Sequence, residues 1–460
     1  MSDSLSFAFL LCLLAAAGLV ILLFRQQTAY MGVTCLFAFQ VSSASLSAFS
    51  FGRVFGLREQ WITPDHESVF LYSGWACLAI VGAMWLAWLH SKNHHANKLA
   101  QAELFPWVTE RFVFFALGLG AIGTIALPFL ARVPTVGTAT HLLASWLKLG
   151  LITAVILFKK KGNLRPLLIA IALYIPAAAV YALSSGFTPF SVDAIICIAL
   201  IATCLNRVTI FSFIKLFICM VPCVYLMFGW LASRGIIRSG ELEGFPIAER
   251  ATRFADVFVD ELLHLHVTAY DIQTLLFDRI DMSDILAQEV AFQISPSGED
   301  QFAYGGTLVD GLVAVVPRAL WEDKPTVAGY ADFVGQYTGV GPRSDNTSIG
   351  VPVQFELYAN GGPPFVVAGI FILFYLCARL ERFVATCRRS LHVLMPSLMF
   401  LMSFANGIEQ IMLVLSTALA GAATVFVIAR IVEVFYPQLL PQFRPSQFRR
   451  RLGPAIRATA

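Results

Sequence analysis

Three cationic side chains stand out in the longest polar part of an otherwise apolar chain. Arg318 and Lys324 lie in the run VVPRALWEDKPTVAG, and Arg343 follows further along. Arginine presents a planar fork of donors that fits phosphate oxygens, and lysine adds a point charge. Salt bridges to nearby carboxylates are the alternative use of these cations. The three residues are therefore candidates for binding a diphosphate.

A carboxylate follows these cations in the run FELYANGGPP. Glu356 in this run could act as general base on a hydroxyl group. The alternative is a helix-start carboxylate, which the helix dipole stabilises. Tyr358 and Asn360 stand beside it and can donate and accept hydrogen bonds. The chemistry that these residue types permit is proton abstraction next to an anion site.

The composition indicates which elements must position these residues. The chain has 460 residues, of which 58% are hydrophobic and 13% are charged, and its mean hydropathy is +0.73. A soluble domain carries about 25% charged residues, so the class is an all-α polytopic membrane protein. About eleven segments are long and apolar enough to span a membrane. They are 5–24, 29–51, 68–90, 111–131, 138–158, 166–185, 189–206, 209–233, 363–380, 393–412 and 414–436.

Lysine and arginine in the short loops predict the orientation of these segments. Basic clusters follow the third, fifth and ninth segments and fill the C-terminal tail, and all lie on one side if the N-terminus is outside. The stretch 234–361 then lies outside, and it holds 8 of the 32 basic and 19 of the 29 acidic residues. The predicted organisation is transmembrane helices 1–8 in 1–233, a large periplasmic loop in 234–361, helices 9–11 in 362–437 and a basic cytoplasmic tail in 438–460.

The large loop has helical patterning of its own. Five apolar residues recur at helical spacing and predict an amphipathic helix, either on the membrane surface or packed on the bundle; they are Phe254, Val257, Phe258, Leu262 and Leu265. The apolar part of Tyr304–Pro317 is too short to span and predicts a surface-lying or re-entrant segment. No cysteine falls in the loop, so we expect no disulfide framework there, and no zinc-type spacing is present.

Two stretches of this loop carry a resemblance to a known family. PRALWEDKP, at 317–325, and ELYANGG, at 356–362, resemble motifs of the Wzy-type O-antigen and exopolysaccharide repeat-unit polymerases. Arg318 and Gly329 also fit the R-x10-G spacing described for outer loops of such polymerases. The resemblance implies a fold similar to the GT-C glycosyltransferases, in the bacterial inner membrane, with neither a metal nor a cofactor.

The resemblance also implies a reaction. The donor is a glycan on undecaprenyl diphosphate, and an acceptor sugar hydroxyl of a lipid-linked repeat unit attacks its anomeric carbon. The implied catalytic residues are Glu356, Arg318 and Arg343, and the diphosphate would be held by Arg318, Lys324 and Arg343. The implied sugar-binding residues are Trp321, Tyr358, Asn360 and Asp345. The implied partners are this lipid-linked substrate, membrane lipid, a chain-length regulator and a flippase, and no nucleic acid.

Three other functions stay open on the sequence alone. An O-antigen ligase would use the same donor and transfer the chain to lipid A core. A transporter or flippase would show repeats and broken helices near mid-membrane, and the sequence contains no convincing internal repeat. A structural partner of other polysaccharide enzymes would need no converging cations. The sugars, the linkage and the general base are not fixed by these patterns.

Overall fold

The computed structural model describes a set of helices over part of the chain. The residues described are 3–25, 34, 38, 64–92, 105–130, 136–185, 211, 214, 218, 245, 247–264, 283–295, 302–316, 321, 330–339, 352–386, 391–405 and 411–435. Within them every regular element is a helix and no strand is present. The helices are α1 (Asp3–Arg25), α2 (Pro64–Lys92), α3 (Glu110–Leu130), α4 (Val136–Lys161), α5 (Arg165–Ser185), α6 (Ile247–His264), α7 (Ser283–Ile294), α8 (Gly306–Val315), α9 (Tyr330–Thr338), α10 (Val353–Thr386), α11 (Leu391–Ala405) and α12 (Ile411–Phe435).

The all-α class predicted from the sequence is confirmed for the part of the chain that is described. Eight of the apolar segments coincide with α1 to α5 and with α10 to α12. The segments 29–51, 189–206 and 209–233 lie outside the described residues, apart from single positions. Two of the described helices are long and apolar enough to cross a membrane, Asp65–His90 and Val353–Thr386.

Helices α2 and α10 pack side by side and run in the same direction. Near their starts, the Ser73 hydroxyl donates to Gln354 Oε1 over 3.2 Å. Near their other ends, Tyr375 Oη lies 3.3 Å from His90 Nδ1. The parallel arrangement puts the start of α2 beside the start of α10, so both helices contribute side chains to one end of the bundle.

Helices α3 and α4 pack antiparallel and very closely. Gly120 lies directly against the backbone of Leu147, and Gly123 lies against that of Ala144. A side chain on either glycine would collide with backbone, which cannot move aside as a flexible side chain would. Small residues therefore set the spacing of this pair.

The far end of α10 is joined to the start of α3 and to the end of α4. Phe105 N–H donates to the Ala385 carbonyl over 2.8 Å, and Trp107 Nε1 donates to the Val384 carbonyl over 2.9 Å. Lys160 Nζ donates to the Phe105 carbonyl over 3.3 Å. Three segments that the charge pattern predicts on the inner side thus meet at one end of α10.

Helix α10 is broken near its start. Gly362 has φ of 70° and Gly361 also departs from helical geometry. The left-handed region is costly for residues with a Cβ, so glycine is favoured at Gly362. Pro363 and Pro364 follow, and proline is tolerated in the first turn of a helix, where no intrahelical N–H bond is lost. The break separates a short buried segment, residues 353–360, from the long apolar part of the helix.

Candidate functional site

The broken start of α10 is enclosed by the three short helices of the large loop. Helix α7 contacts α2 and α10, α8 contacts α10, and α9 packs on α7. The Phe333 ring of α9 lies 5.6 Å from the Phe355 ring of α10, and the Tyr72 ring of α2 lies 5.3 Å from that of Tyr358. This packing buries residues 353–360 almost completely.

Glu356 lies at the centre of this enclosure and is 0% exposed. The Thr307 hydroxyl of α8 donates to its Oε1 over 2.9 Å. Glu356 also falls in the first turn of α10, where the helix dipole favours negative charge. The helix-start position foreseen as the alternative is therefore real, but the carboxylate is also held in a polar, water-excluded setting suited to proton transfer.

Asn360 holds the turn before α8 against α10; Gly305, Thr307 and Asn360 are called the Asn360 brace here. Asn360 Oδ1 accepts from the Gly305 N–H over 2.7 Å. Its Nδ2 donates to Thr307 Oγ1 over 2.7 Å and to the Glu356 carbonyl over 2.7 Å. The amide that the resemblance assigns to sugar binding is thus engaged within the protein, where it orients the hydroxyl that contacts Glu356.

We expect Asn360→Ala to destabilise the protein by about 1–3 kcal/mol, because the partly buried Gly305 N–H loses its acceptor and the buried Thr307 hydroxyl loses its donor. The measurement is thermal unfolding of the purified protein in detergent. Asn163→Ala is the matched control, because Asn163 Oδ1 accepts a solvent-exposed hydrogen bond from the Arg165 backbone N–H over 3.2 Å. Equal effects of the two substitutions would contradict the brace.

The other residues predicted for the site are placed as follows. Tyr358 is buried and packs between Tyr72 and Phe302, so it is close to Glu356 in the same helix segment. Trp321 is 42% exposed. The remaining predicted residues lie outside the described part of the chain, and they are Arg318, Lys324, Arg343 and Asp345.

The structure adds four buried polar residues that the sequence reasoning missed, called the Glu289 cluster here. They come from α2, α7 and α10, each is at least nine-tenths buried, and they are Tyr72, Glu289, Gln293 and Gln354. Both carboxyl oxygens of Glu289, both amide ends of Gln293, Gln354 Nε2 and Tyr72 Oη have no hydrogen-bond partner among the described residues. Buried polar atoms normally have such partners, so this cluster differs from ordinary packing.

A sequence signal for Glu289 and Gln293 existed. They are four residues apart in SDILAQEVAFQI, and helical spacing places them on the face that carries Leu286 and Val290. Those two apolar residues are buried. A polar pair in line with buried apolar positions therefore indicated a buried polar site rather than a solvated face.

Glu289 interacts electrostatically with tyrosines on three helices. It acts on Tyr72 of α2, on Tyr358 of α10 and on Tyr337 of α9. Burial raises the pKa of the Glu289 carboxyl well above its ordinary value. Burial, with Asp310, Glu289 and Glu356 nearby, raises the pKa of the Tyr337 phenol as well. Burial thus favours the protonated form of Glu289, which both donates and accepts a hydrogen bond.

Glu289→Gln is expected to gain stability relative to wild type as the pH rises above about 4.5, the ordinary pKa of a glutamate. In that range the folded wild type holds a proton on Glu289 that the unfolded chain has released, so its unfolding free energy falls with pH; glutamine does not titrate. The measurement is the difference in unfolding temperature between the two proteins at several pH values. The neighbouring carboxyls Asp65, Asp310 and Glu356 are present in both proteins, so their titration affects both. A difference in unfolding temperature that does not change with pH would contradict the raised pKa of Glu289.

The site therefore combines two carboxyls of different character. Glu356 accepts a hydroxyl bond at a helix start, and Glu289 is buried with neutral polar neighbours. Carboxyls whose environments differ in this way can take different acid and base roles. No group of three His, Cys, Asp or Glu side chains suited to a metal occurs in the described ranges.

Comparisons with protein-family models, with curated proteins and with solved structures return no match to this chain.

Proposed function

We propose that this chain is a membrane glycosyltransferase that polymerises undecaprenyl-diphosphate-linked oligosaccharide repeat units at the outer face of the bacterial inner membrane. The observation that carries the proposal is the position of Glu356. It is buried beside the break of α10, a helix apolar enough to cross a membrane. A carboxylate there is placed to meet a polar head group whose lipid tail stays in the membrane.

The proposed topology has about eleven spans, with the N-terminus outside and residues 234–361 in the periplasm. It requires α2 and α10 to run from outside to inside and α3 to run the opposite way to α4. The parallel pair α2–α10 and the antiparallel pair α3–α4 support it. The contacts among Phe105, Lys160 and Ala385 support a common inner side.

The cations of the proposed diphosphate site are tethered to the helices around Glu356. In sequence, Arg318 and Lys324 lie in the connection from α8 to α9, and Arg343 lies in the connection from α9 to α10. Thr307 of α8 contacts Glu356, and Tyr337 of α9 interacts with it electrostatically. All three cations therefore belong to connections that begin and end at the walls of one site.

In the proposed reaction, an acceptor sugar hydroxyl attacks the anomeric carbon of the lipid-linked chain. Glu356 orients that hydroxyl and takes its proton, and the bond from the anomeric carbon to the diphosphate oxygen breaks. Arg318, Arg343 and Lys324 stabilise the negative charge on the leaving undecaprenyl diphosphate. Such positioned charges act most strongly where water is excluded.

A deletion strain tests this function in the cell. We expect loss of the long polymer while single repeat units are still made, with recovery when the wild-type gene is restored. The measurement is electrophoresis of the surface glycan together with mass analysis of lipid-linked intermediates. Accumulation of unligated long polymer would contradict the proposal and indicate a ligase, and loss of surface repeats with inward-facing lipid-linked units would indicate a flippase.

A further inference from the structure

We infer that the Glu289 cluster is a subsite for a neutral sugar, in which Tyr72, Glu289, Gln293 and Gln354 hydrogen-bond its hydroxyl or acetamido groups. The assignment to the acceptor sugar rests on the proposed function. The binding of a neutral sugar itself does not. All four residues lie outside the two motifs that carry the family resemblance, 317–325 and 356–362.

The polar atoms of the cluster lack hydrogen-bond partners. The cluster has six polar atoms without a partner among the described residues, on four side chains that are at least nine-tenths buried. Leaving such atoms unpaired is costly. Six such atoms on four side chains are more consistent with a site that a polar ligand fills than with an apolar core.

The charged groups around the cluster favour a neutral ligand. Among the described residues, the charged groups that act on Tyr337 and Tyr358 are carboxyls, namely Asp65, Glu289, Asp310 and Glu356. These carboxyls disfavour an anion such as a uronic acid at the cluster itself, whereas the cations of the proposed diphosphate site belong to the connections between α8, α9 and α10. Phenol, carboxamide and protonated carboxyl groups both donate and accept, which suits a hydroxyl-rich neutral ligand.

The position of the cluster relative to Glu356 indicates which sugar it would hold. Glu289 and Glu356 both act electrostatically on the Tyr337 phenol, and the Tyr72 ring packs on Tyr358, which is two residues from Glu356 in the same buried segment. A sugar held by the Glu289 cluster would therefore lie in the same enclosure as Glu356. That is where an acceptor hydroxyl must be held if Glu356 takes its proton, so the cluster would set which acceptor sugar is used.

The test measures sugar binding without any polymerisation. Full-length protein in detergent is heated with glucose, galactose, N-acetylglucosamine or glucuronate at about 50 mM, above a millimolar dissociation constant. Wild type is compared with Glu289→Leu, Gln293→Leu and Glu289→Gln. General stabilisation by excluded sugars acts on all the proteins alike, so it cancels between wild type and variant.

We expect at least one neutral sugar to raise the unfolding temperature of wild type by about 2–4 °C more than that of either leucine variant. Glucuronate should show no such difference, and Glu289→Gln should retain the shift. Without sugar, Glu289→Leu should unfold about 2 °C above wild type, because it removes an unpaired buried group.

Two results would overturn the subsite. One is equal shifts for wild type and both leucine variants with all four sugars. The other is a lower unfolding temperature, or failure to fold, of Glu289→Leu, which would mean that Glu289 has its partner inside the folded protein. Sugar binding by a protein that forms no polymer would keep the subsite and reject the polymerase. Polymerisation without the sugar-specific shift would keep the polymerase and reject the subsite.

Discussion

Glu356→Gln is expected to lower the rate of polymer formation by about 10²–10⁴-fold, the usual contribution of a general base. Glutamine keeps the size of the side chain and can still accept from the Thr307 hydroxyl, which now lies 2.9 Å from Glu356 Oε1. It cannot take a proton from an acceptor hydroxyl. The fold should survive, since the amide replaces the carboxylate in the same contact, so the loss reports chemistry rather than unfolding.

The measurement is the length distribution of lipid-linked glycans made by purified variants with matched unfolding temperatures. Glu249→Gln is the control, because Glu249 is an exposed carboxylate of the same loop that pairs with Arg253 over 3.0 Å. That control should polymerise at the wild-type rate. Equal rates for Glu356→Gln and wild type would leave Glu356 as a helix-start carboxylate without a catalytic role.

Arg318→Ala and Arg343→Ala are each expected to reduce polymerisation by about 10²–10³-fold, the cost of removing one donor to developing charge. Arg318→Lys should recover only part of the rate, because a point charge replaces a two-pronged donor. Arg253→Ala is the control, since its exposed pair with Glu249 contributes only about 0.2–1 kcal/mol to stability. Full-length polymer from both arginine variants, folded and expressed, would reject the diphosphate site.

The helices were predictable because their cause is local. A run of about 20 apolar residues must satisfy its backbone internally, and a helix does so without help from the rest of the chain. The predicted segment 68–90 accordingly lies within α2, Pro64–Lys92. The start of α10 was less clear, because segment 353–360 mixes apolar and polar residues and its burial depends on packing with other helices that are distant in sequence.

The candidate site was predictable in part for the same reason. Glu356, Tyr358 and Asn360 are neighbours in sequence, so their proximity is secured by one helix. The Glu289 cluster joins α2, α7 and α10, whose residues are far apart in sequence, and such contacts are set by tertiary packing. Asn360 shows the converse: its type suggested a ligand contact, and only the structure reveals its bonds to Gly305 and Thr307.

Polymerisation by the purified protein tests the central claim most directly. Wild type and Arg318→Ala would be given synthetic undecaprenyl-diphosphate repeat units from the source organism's own glycan, in detergent and without nucleotide sugars. We expect a ladder of longer lipid-linked glycans from wild type, with free undecaprenyl diphosphate released, and almost none from the variant. Wild-type protein that binds the repeat unit but never extends it would rule out the proposed polymerase.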